Sequence, residues 1–183
     1  MLSCDLIPRS HLQRVQDDGV LKVLSRNSAT TYYEGPYGLA GLEYDLAAGF
    51  ADYLGVRLQL DTPDTLSQIL SRIQAGYADI AAAGLTVTDE RKQRLNFGDS
   101  YQSITSQLVY RVGTPSPRNL DTLSGSLEVV ANSSHAEQLY SLQEEYPDLV
   151  FVENTELESE QLLSLVWEQV IDYTVADSNE VAI

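Results

Sequence analysis

The sequence has few positively charged residues. Lysine and arginine number 11 against 27 aspartates and glutamates, which gives a formal net charge of −16 and a pI near 4.2. A surface of this sign repels phosphate backbones and anionic lipid headgroups, so we expect no nucleic acid among the partners of this protein. The simplest reason for the acidity is solubility.

Cysteine and histidine are also scarce. The single cysteine, Cys4, excludes an intrachain disulfide, and the two histidines, His11 and His135, lie too far apart for an ordinary zinc motif. The sequence shows no glycine-rich phosphate loop and suggests no pairing of a nucleophile with a base. We therefore expect no metal, no cofactor and no catalytic residue in this chain.

Long apolar runs are missing as well. None approaches the ~20 residues that cross a bilayer, and Met1-Leu2-Ser3 is too short for a secretory signal. Ser3 directly before Cys4 is nevertheless the arrangement found at the end of a bacterial lipoprotein signal. Cys4 is thus either a lipidation site, which would be the only contact with a membrane, or a free cysteine in an N-terminal tail of residues 1–12.

The first half of the chain shows alternating strand and helix patterns. The predicted elements are strands 21–24, 56–60 and 78–83 and helices 46–54 and 66–73, with a loop at 28–42. Gly55 and Gly76 are placed to end the two helices, and Asp64 to begin the second. The order βαβαβ is typical of an α/β fold with a doubly wound parallel sheet.

The second half repeats this pattern. It contains strands 127–131, 149–152 and 171–176 and helices 134–145 and 157–169. A shift of 93 positions places Ile69 on Leu162 and Asp79 on Asp172, but it also places Gly76 on Gln169, so the second helix lacks its glycine stop. A strand at 107–112 and a proline-containing stretch connect the halves. We predict two lobes, residues 13–110 and 111–183, with a ligand-binding cleft between them.

Several polar residues follow strand ends, where ligands bind in open α/β sheets. Gly84 would let backbone N–H groups approach a ligand, Thr86 offers a hydroxyl, and Arg91 offers a fork that fits a carboxylate. The alternative is a surface arginine paired with Asp89 or Glu90.

Two later segments supply complementary groups. Ser134-x-x-Glu137 fits a capping box, and its helix N-terminus favours an anion. Asp177 follows the last strand and would pair with an ammonium, so Arg91 and Asp177 together describe an α-amino acid site. We expect both to await a ligand rather than to support the core. The loop residues Thr30 and Tyr33 would wall the ligand or pack locally.

The segments GLEYDLAAGFADYLGV, QAGYADIAAAGLTVTDERKQRLNFGDSY and IDYTVADSNE resemble the family 3 extracellular solute-binding proteins. The resemblance implies a two-lobed periplasmic-binding-protein-like fold, each lobe a βαβαβ parallel-sheet unit, that binds amino acids in its cleft. It also implies that Arg91 holds the ligand carboxylate and Asp177 the amino group. The other positions that match ligand contacts are Gly84, Thr86, Ser134, Thr30 and Tyr33.

Within this family, AAAGLT, SQLVYRVG, SSHAEQL and DYTVADSNE are most similar to the amino-terminal domain of membrane-bound lytic murein transglycosylases. This implies a periplasmic, envelope-attached protein of a Gram-negative bacterium, whose domain senses an amino acid or a peptidoglycan-derived peptide. The catalytic domain that acts on peptidoglycan has no counterpart in these residues, and the chain stops at Ile183, before the family would return to complete the first lobe. A receptor for an ABC importer and a periplasmic dehydratase-like enzyme are the alternatives; the latter needs an acid or base that the sequence does not identify.

Overall fold

A computed structural model describes residues 9–114, 117 and 119–182. Cys4 lies outside the described residues, so its lipidation stays a prediction. The chain forms two α/β lobes, each built on its own sheet, as the sequence predicts.

The first lobe contains a three-stranded parallel sheet in the order β4-β1-β5. Its elements are α1 (His11–Asp18), β1 (Val20–Leu24), β2 (Tyr33–Gly35), β3 (Gly38–Ala40), α2 (Leu42–Leu54), β4 (Arg57–Asp61), α3 (Leu66–Gln74), β5 (Ile80–Ala81) and α4 (Asp89–Lys92). The βαβαβ prediction for this half is confirmed. The predicted loop at 28–42 contains the short antiparallel hairpin β2-β3, whose strands of three residues are too short to show a period of two.

The second lobe contains a four-stranded sheet in the order β6-β9-β7-β8. Its elements are β6 (Ser106–Tyr110), a 3₁₀ turn (Leu120–Thr122), β7 (Leu127–Val130), α5 (Ser134–Leu142), β8 (Val152–Asn154), α6 (Ser159–Trp167), β9 (Tyr173–Asp177) and α7 (Ser178–Val181). Strands β7, β8 and β9 are parallel, whereas β6 runs antiparallel to β9 and places Ser106 opposite Asp177. Strand β6 falls within residues 13–110, which we assigned to the first lobe, yet its hydrogen bonds lie in the second sheet.

Helix ends follow the sequence signals with one correction. Gly55 ends α2 in the left-handed region at φ 70°, as predicted. The N-cap of α3 is Thr65 and not Asp64, because the Thr65 side chain accepts a hydrogen bond from the backbone of Gln68. Gly76 (φ 74°) and its counterpart Gln169 (φ 65°) are both left-handed, so the second lobe keeps this backbone turn without the glycine.

The two aspartates that the internal repeat superimposes accept hydrogen bonds from equivalent backbone positions in the two lobes. Asp79 Oδ2 accepts a hydrogen bond from the backbone N–H of Lys22 at 2.8 Å, and Asp172 Oδ2 accepts one from Ser126 at 2.8 Å. Asp79 thereby ties the loop before β5 to the middle of β1, and Asp172 ties the loop before β9 to the residue before β7.

Each lobe has its own hydrophobic core, and a further cluster joins them. Val15, Leu21, Val23, Ala47 and Ala51 form one core of the first lobe; Leu127, Val129, Ala136, Leu139, Leu149, Tyr173 and Val175 form that of the second. The joining cluster packs Leu66 of α3 against Val130, Leu162, Val166 and Ile171 of the second lobe. The lobes therefore touch through apolar side chains beside the cleft.

Candidate functional site

Arg91 lies in the short helix α4, which begins after Thr88, and its side chain is only 6% exposed. Its guanidinium donates from Nε to Glu137 Oε1 at 3.1 Å, from Nη1 to the Thr86 carbonyl at 3.1 Å and from Nη2 to the Asn132 carbonyl at 3.0 Å. Burial lowers the pKa of Arg91, and the Glu137 carboxylate opposes that shift. Arg91 is thus a buried link between the lobes and not a surface arginine paired with its neighbours in sequence.

Glu137 has a different role from the one that its spacing predicts. The N-cap of α5 is Ser133, whose Oγ accepts a hydrogen bond from Ala136 N at 3.2 Å, so the predicted Ser134–Glu137 capping box is wrong. The helix begins one residue earlier than that motif requires, which leaves the Glu137 carboxylate free to reach Arg91. Ser134 is the first residue of α5 and lines the small pocket described below.

Asp177 ends strand β9 and belongs to a cluster of three titratable side chains. One ligand atom from each of His135, Asp177 and Glu180 lies within 4.8 Å of the other two. His135 Nε2 is 3.5 Å from Asp177 Oδ1, and Glu180 Oε2 accepts a hydrogen bond from the Asp177 backbone at 3.3 Å. Burial lowers the pKa of His135 and raises that of Asp177. Burial therefore disfavours the charged forms of both side chains.

Arg26, which sequence reasoning missed, pairs with this cluster from the first lobe. Its Nη2 donates to Glu180 Oε1 at 3.0 Å and its Nη1 to Glu158 Oε2 at 3.4 Å. Glu158 also accepts a hydrogen bond from the backbone of Leu66, the first residue of α3. Arg26 follows the end of β1, so the strand-end rule that selected Asp177 would have found it too. Because Arg26 already holds Glu180, its charge disfavours a metal ion at the three-residue cluster.

Gly84 does not present its backbone N–H to the cleft as the sequence suggested. That N–H donates to Glu43 Oε1 at 2.7 Å, and the Tyr101 hydroxyl donates to the same carboxylate oxygen. Gly84 has φ 62°, and a Cβ there would meet Thr31 Cγ2 at 3.3 Å, so glycine is required for the turn.

Of the remaining predicted site residues, Thr86 and Thr30 line the cleft and Tyr33 does not. Thr86 is half-buried beside Arg91 and lines the cleft. The Thr30 hydroxyl lies 2.9 Å from Ser28 Oγ, at the wall of the larger cavity. Tyr33 lies in the β2-β3 hairpin, is 41% exposed and lines neither cavity.

A small pocket and a larger cavity meet at the cleft. The pocket holds about 30 Å³ and is lined by both lobes, including Arg91, Ser134 and Asp177. The cavity holds about 690 Å³, shares Arg26, Asp177 and Glu180 with the pocket and extends along the apolar face of α2. Small-molecule sites measure roughly 300–1,000 Å³, so an amino acid enters the pocket only if the lobes move apart.

The family model of the bacterial extracellular solute-binding proteins, family 3, matches residues 21–176. The chain belongs to this family. The matched range includes Arg26, Arg91, Glu137 and most of both sheets, and ends just before Asp177.

Curated relatives match over nearly the whole of this chain but only part of their own length. The chain is 48% identical over 178 residues to membrane-bound lytic murein transglycosylase F 1 of Alkalilimnicola ehrlichii, covering 96% of this chain and 36% of the relative. It is 40% identical over 184 residues to membrane-bound lytic murein transglycosylase F of Pseudomonas fluorescens, covering 100% of this chain and 38% of the relative. The chain thus spans little more than a third of these relatives.

Solved structures of amino-acid-binding proteins share the fold. The arginine-bound form of truncated ArgBP from T. maritima has a TM-score of 0.77 at 20% identity, covering 92% of this chain and 78% of that one. The ancestral amino acid-binding protein AncCDT-1 has a TM-score of 0.79 at 24% identity, covering 94% of this chain and 76% of that one. These matches confirm the predicted fold class.

None of the helices in the described parts of the chain is long and apolar enough to span a bilayer.

Proposed function

We propose that this domain binds an amino acid or a peptidoglycan-derived peptide in its cleft and thereby regulates a lytic murein transglycosylase. One observation carries the proposal: Arg91 of the first lobe and Asp177 of the second line the same buried pocket. A cation and an anion held on opposite lobes are complementary to the carboxylate and the ammonium of an α-amino acid. The arginine-bound and amino-acid-binding structures that share the fold are consistent with this ligand class.

The ligand carboxylate would replace Glu137 at Arg91. Glu137 is 23% exposed and therefore has access to water when it leaves the guanidinium, whereas Arg91 at 6% has little. The displaced contact is one charge-assisted hydrogen bond. A ligand carboxylate would replace it by accepting two parallel hydrogen bonds from the guanidinium.

Entry of a ligand requires the lobes to separate, because several contacts close the cleft. The Asn132 side chain donates to Ser67 Oγ at 2.9 Å, and the backbone of Ala29 donates to Glu160 Oε1 at 2.9 Å. Ligand binding would thus be linked to the relative position of the lobes, which is the change that a fused catalytic domain would sense.

The enzymatic part of the proposal rests on the relatives. Proteins named membrane-bound lytic murein transglycosylase F are covered by this chain over only 36% and 38% of their length. We place the protein in the periplasm, attached to the cell envelope through a lipid on Cys4, with peptidoglycan as the substrate of the longer protein.

Calorimetric titration with the twenty proteinogenic L-amino acids and with peptidoglycan-derived peptides tests the binding function. For a ligand that binds the parent, Arg91→Lys and Asp177→Asn are expected to weaken binding by about tenfold to a few hundredfold, since a charge-assisted hydrogen bond contributes roughly 1.5–3 kcal/mol. Arg94→Lys and Asp89→Asn make the same chemical changes at side chains that are 62% and 98% exposed, and should bind as the parent does. Absence of binding to every ligand of the panel would refute the proposal.

The regulatory function is tested with the full-length protein. Its release of muropeptides from purified sacculi is expected to change when the bound ligand is added, and to stop responding in the Asp177→Asn variant. Equal release with and without ligand would favour the second candidate, a receptor for an ABC importer. That candidate is supported by the same fold in an amino acid ABC transporter substrate-binding protein from Streptococcus pneumoniae, at a TM-score of 0.77 and 22% identity.

A further inference from the structure

A separate cavity lies in the first lobe, away from the cleft. Its wall includes Lys22, Gln59, Asp61, Arg72 and Tyr77, and we call it the lateral cavity. None of the described residues that line it also lines the pocket or the cavity at the cleft. It holds about 460 Å³, which falls in the range of roughly 300–1,000 Å³ that small-molecule sites occupy.

The lateral cavity exists because the fold leaves half of one sheet face uncovered. On β1, Leu24 packs under helix α3 against Ile69 and Ala78. Lys22 lies two residues earlier on the same face and is exposed, and so is Gln59, its neighbour across the ladder on β4. The lateral cavity is therefore the space between this open half of the sheet, the last turn of α3 and the turn that follows.

The lateral cavity carries an excess of positive charge in a chain whose net charge is −16. Lys22 is one of only two lysines, and its Nζ has no hydrogen bond or ion pair among the described residues. Arg72 donates from Nη1 to Asp61 Oδ2 at 2.7 Å, which leaves its Nε and Nη2 without a partner in the described part of the chain. The carboxylate of Asp79 is already bonded to the Lys22 backbone and to His11. Two cations and one carboxylate thus line the wall, and N–H donors remain available to an anion.

The internal repeat indicates that these side chains are not needed to build a lobe. Helices α3 (Leu66–Gln74) and α6 (Ser159–Trp167) are related by the shift of 93. The same shift places Arg72 on Leu165 and Tyr77 on Val170. The second lobe therefore forms the equivalent helix and turn with apolar residues, so the guanidinium and the ring of the first lobe favour a role in binding.

We propose that the lateral cavity binds a small molecule that carries a carboxylate or a phosphate on a ring. Lys22 Nζ and the available N–H groups of Arg72 donate to the anion. The side chain of Tyr77 is 72% exposed and offers its ring as a surface on which the ring of the ligand packs. This site goes beyond the proposed function, because it lies within one lobe and does not require the cleft to open.

Three probes test the site: phenyl phosphate, benzoate and benzyl alcohol, which share a ring and differ in the anion. Titrations followed by amide NMR spectra report both the place and the affinity of binding. We expect the two anions to shift the backbone signals of Lys22 and Ala78 at concentrations that leave those of Gly84 and Arg91 in place. Benzyl alcohol should bind at least about fivefold more weakly, and added salt should weaken only the anions.

Two variants separate the charge from the ring. Lys22→Gln should weaken both anions by about two- to fivefold and leave benzyl alcohol unchanged. Lys92→Gln, at the other lysine, whose side chain is 56% exposed, is the matched control. Tyr77→Val introduces the residue type that the second lobe has at Val170, and it should weaken all three probes. Its control is Tyr37→Val, at a fully exposed tyrosine.

Several results would overturn the inference: equal binding of benzyl alcohol and the anions, parent-like affinity in Lys22→Gln or in Tyr77→Val, or signals that shift only around the cleft. Asp177→Asn should bind the three probes as the parent does, although it weakens a ligand of the cleft. The lateral cavity and the proposed function can therefore fail independently of each other.

Discussion

The Nε of Arg91 lies 3.1 Å from Oε1 of Glu137, and this contact joins the α4 turn of the first lobe to helix α5 of the second. The sequence led us to expect that Arg91 awaits a ligand and does not support the fold. Its burial and its three hydrogen bonds show that it links the two lobes, so the expectation that it does not support the fold is wrong. Its binding of a ligand carboxylate stays a prediction.

Replacing Arg91 with alanine should therefore lower the free energy of unfolding by about 2–4 kcal/mol. Removing one partner of a buried ion pair leaves the other without compensation, and two backbone carbonyls lose their donors as well. Arg94→Ala, at a side chain 62% exposed, should change the stability by less than about 0.5 kcal/mol. Urea unfolding of both variants measures the difference, and equal stability of the two would contradict the role of Arg91 as a link.

Glu137→Gln should raise the affinity for α-amino acids by several-fold, that is, by about 1 kcal/mol. The neutral amide competes less well for Arg91, so a ligand carboxylate displaces it more easily. Titration of parent and variant with the same amino acid measures the change, with Glu145→Gln, an exposed position beyond the end of α5, as the control. Weaker binding in Glu137→Gln would show that this carboxylate helps the ligand instead of competing with it.

Gln169→Gly should stabilise the protein by about 0.5–1 kcal/mol. Gln169 is exposed and has φ 65°, a region that glycine enters without steric cost, and its counterpart in the first lobe is already Gly76 at φ 74°. The greater entropy of glycine in the unfolded chain offsets part of this gain. The midpoint of urea unfolding measures the result; a lower midpoint would mean that the side chain of Gln169 contributes more than its backbone strain costs.

Acidification should remove the stability that neutral, buried His135 contributes. The native pKa of His135 is lowered from 6.5. Below pH 6.5 the side chain therefore binds a proton in the unfolded chain while it stays neutral in the native state. The contribution is present above pH 6.5 and is lost as pH falls toward the native pKa, at up to about 1.4 kcal/mol per pH unit.

The effect is measured by comparing the parent with His135→Phe at about pH 7.5 and 5.5. Asp177 acts in the opposite direction, since its pKa is raised by burial and its contribution is present at low pH and lost as pH rises through the native pKa. The parent should lose more stability than the variant between the two pH values. An equal loss in both proteins would mean that His135 titrates normally.

The sequence by itself determined the two βαβαβ units and the place of the cleft. The apolar periods of helices such as α2 and α3 are local, and they predict an element whatever surrounds it. The repeat is visible for the same reason, down to Asp79 and Asp172, whose carboxylates bond equivalent backbone groups. Because ligands bind beyond the carboxyl ends of strands in open α/β sheets, the segments after β5 and β9 were the predicted places for Arg91 and Asp177, one in each lobe.

The bounds of short strands and the first residues of helices were harder to predict from the sequence. The strand predicted at 78–83 pairs only at Ile80–Ala81, and the one predicted at 149–152 pairs at Val152–Asn154. Leu149 is buried ahead of that ladder, so its apolar character reports packing and not strand pairing. Neighbouring polar residues such as Asp64 and Thr65 are equally good caps in sequence, and only the backbone geometry selects Thr65.

The tertiary structure alone decided which charges meet. Arg91 and Glu137 are 46 residues apart in sequence, and Arg26 and Glu180 are 154 apart, so no local pattern relates them. Strand β6 likewise joins the second sheet because β9 offers it a free edge, not because of its own composition. An ion pair requires only that its two charges lie close together in space. Residues far apart in sequence come close only when both cores have formed and the lobes pack against each other, so the tertiary structure decides which charges pair.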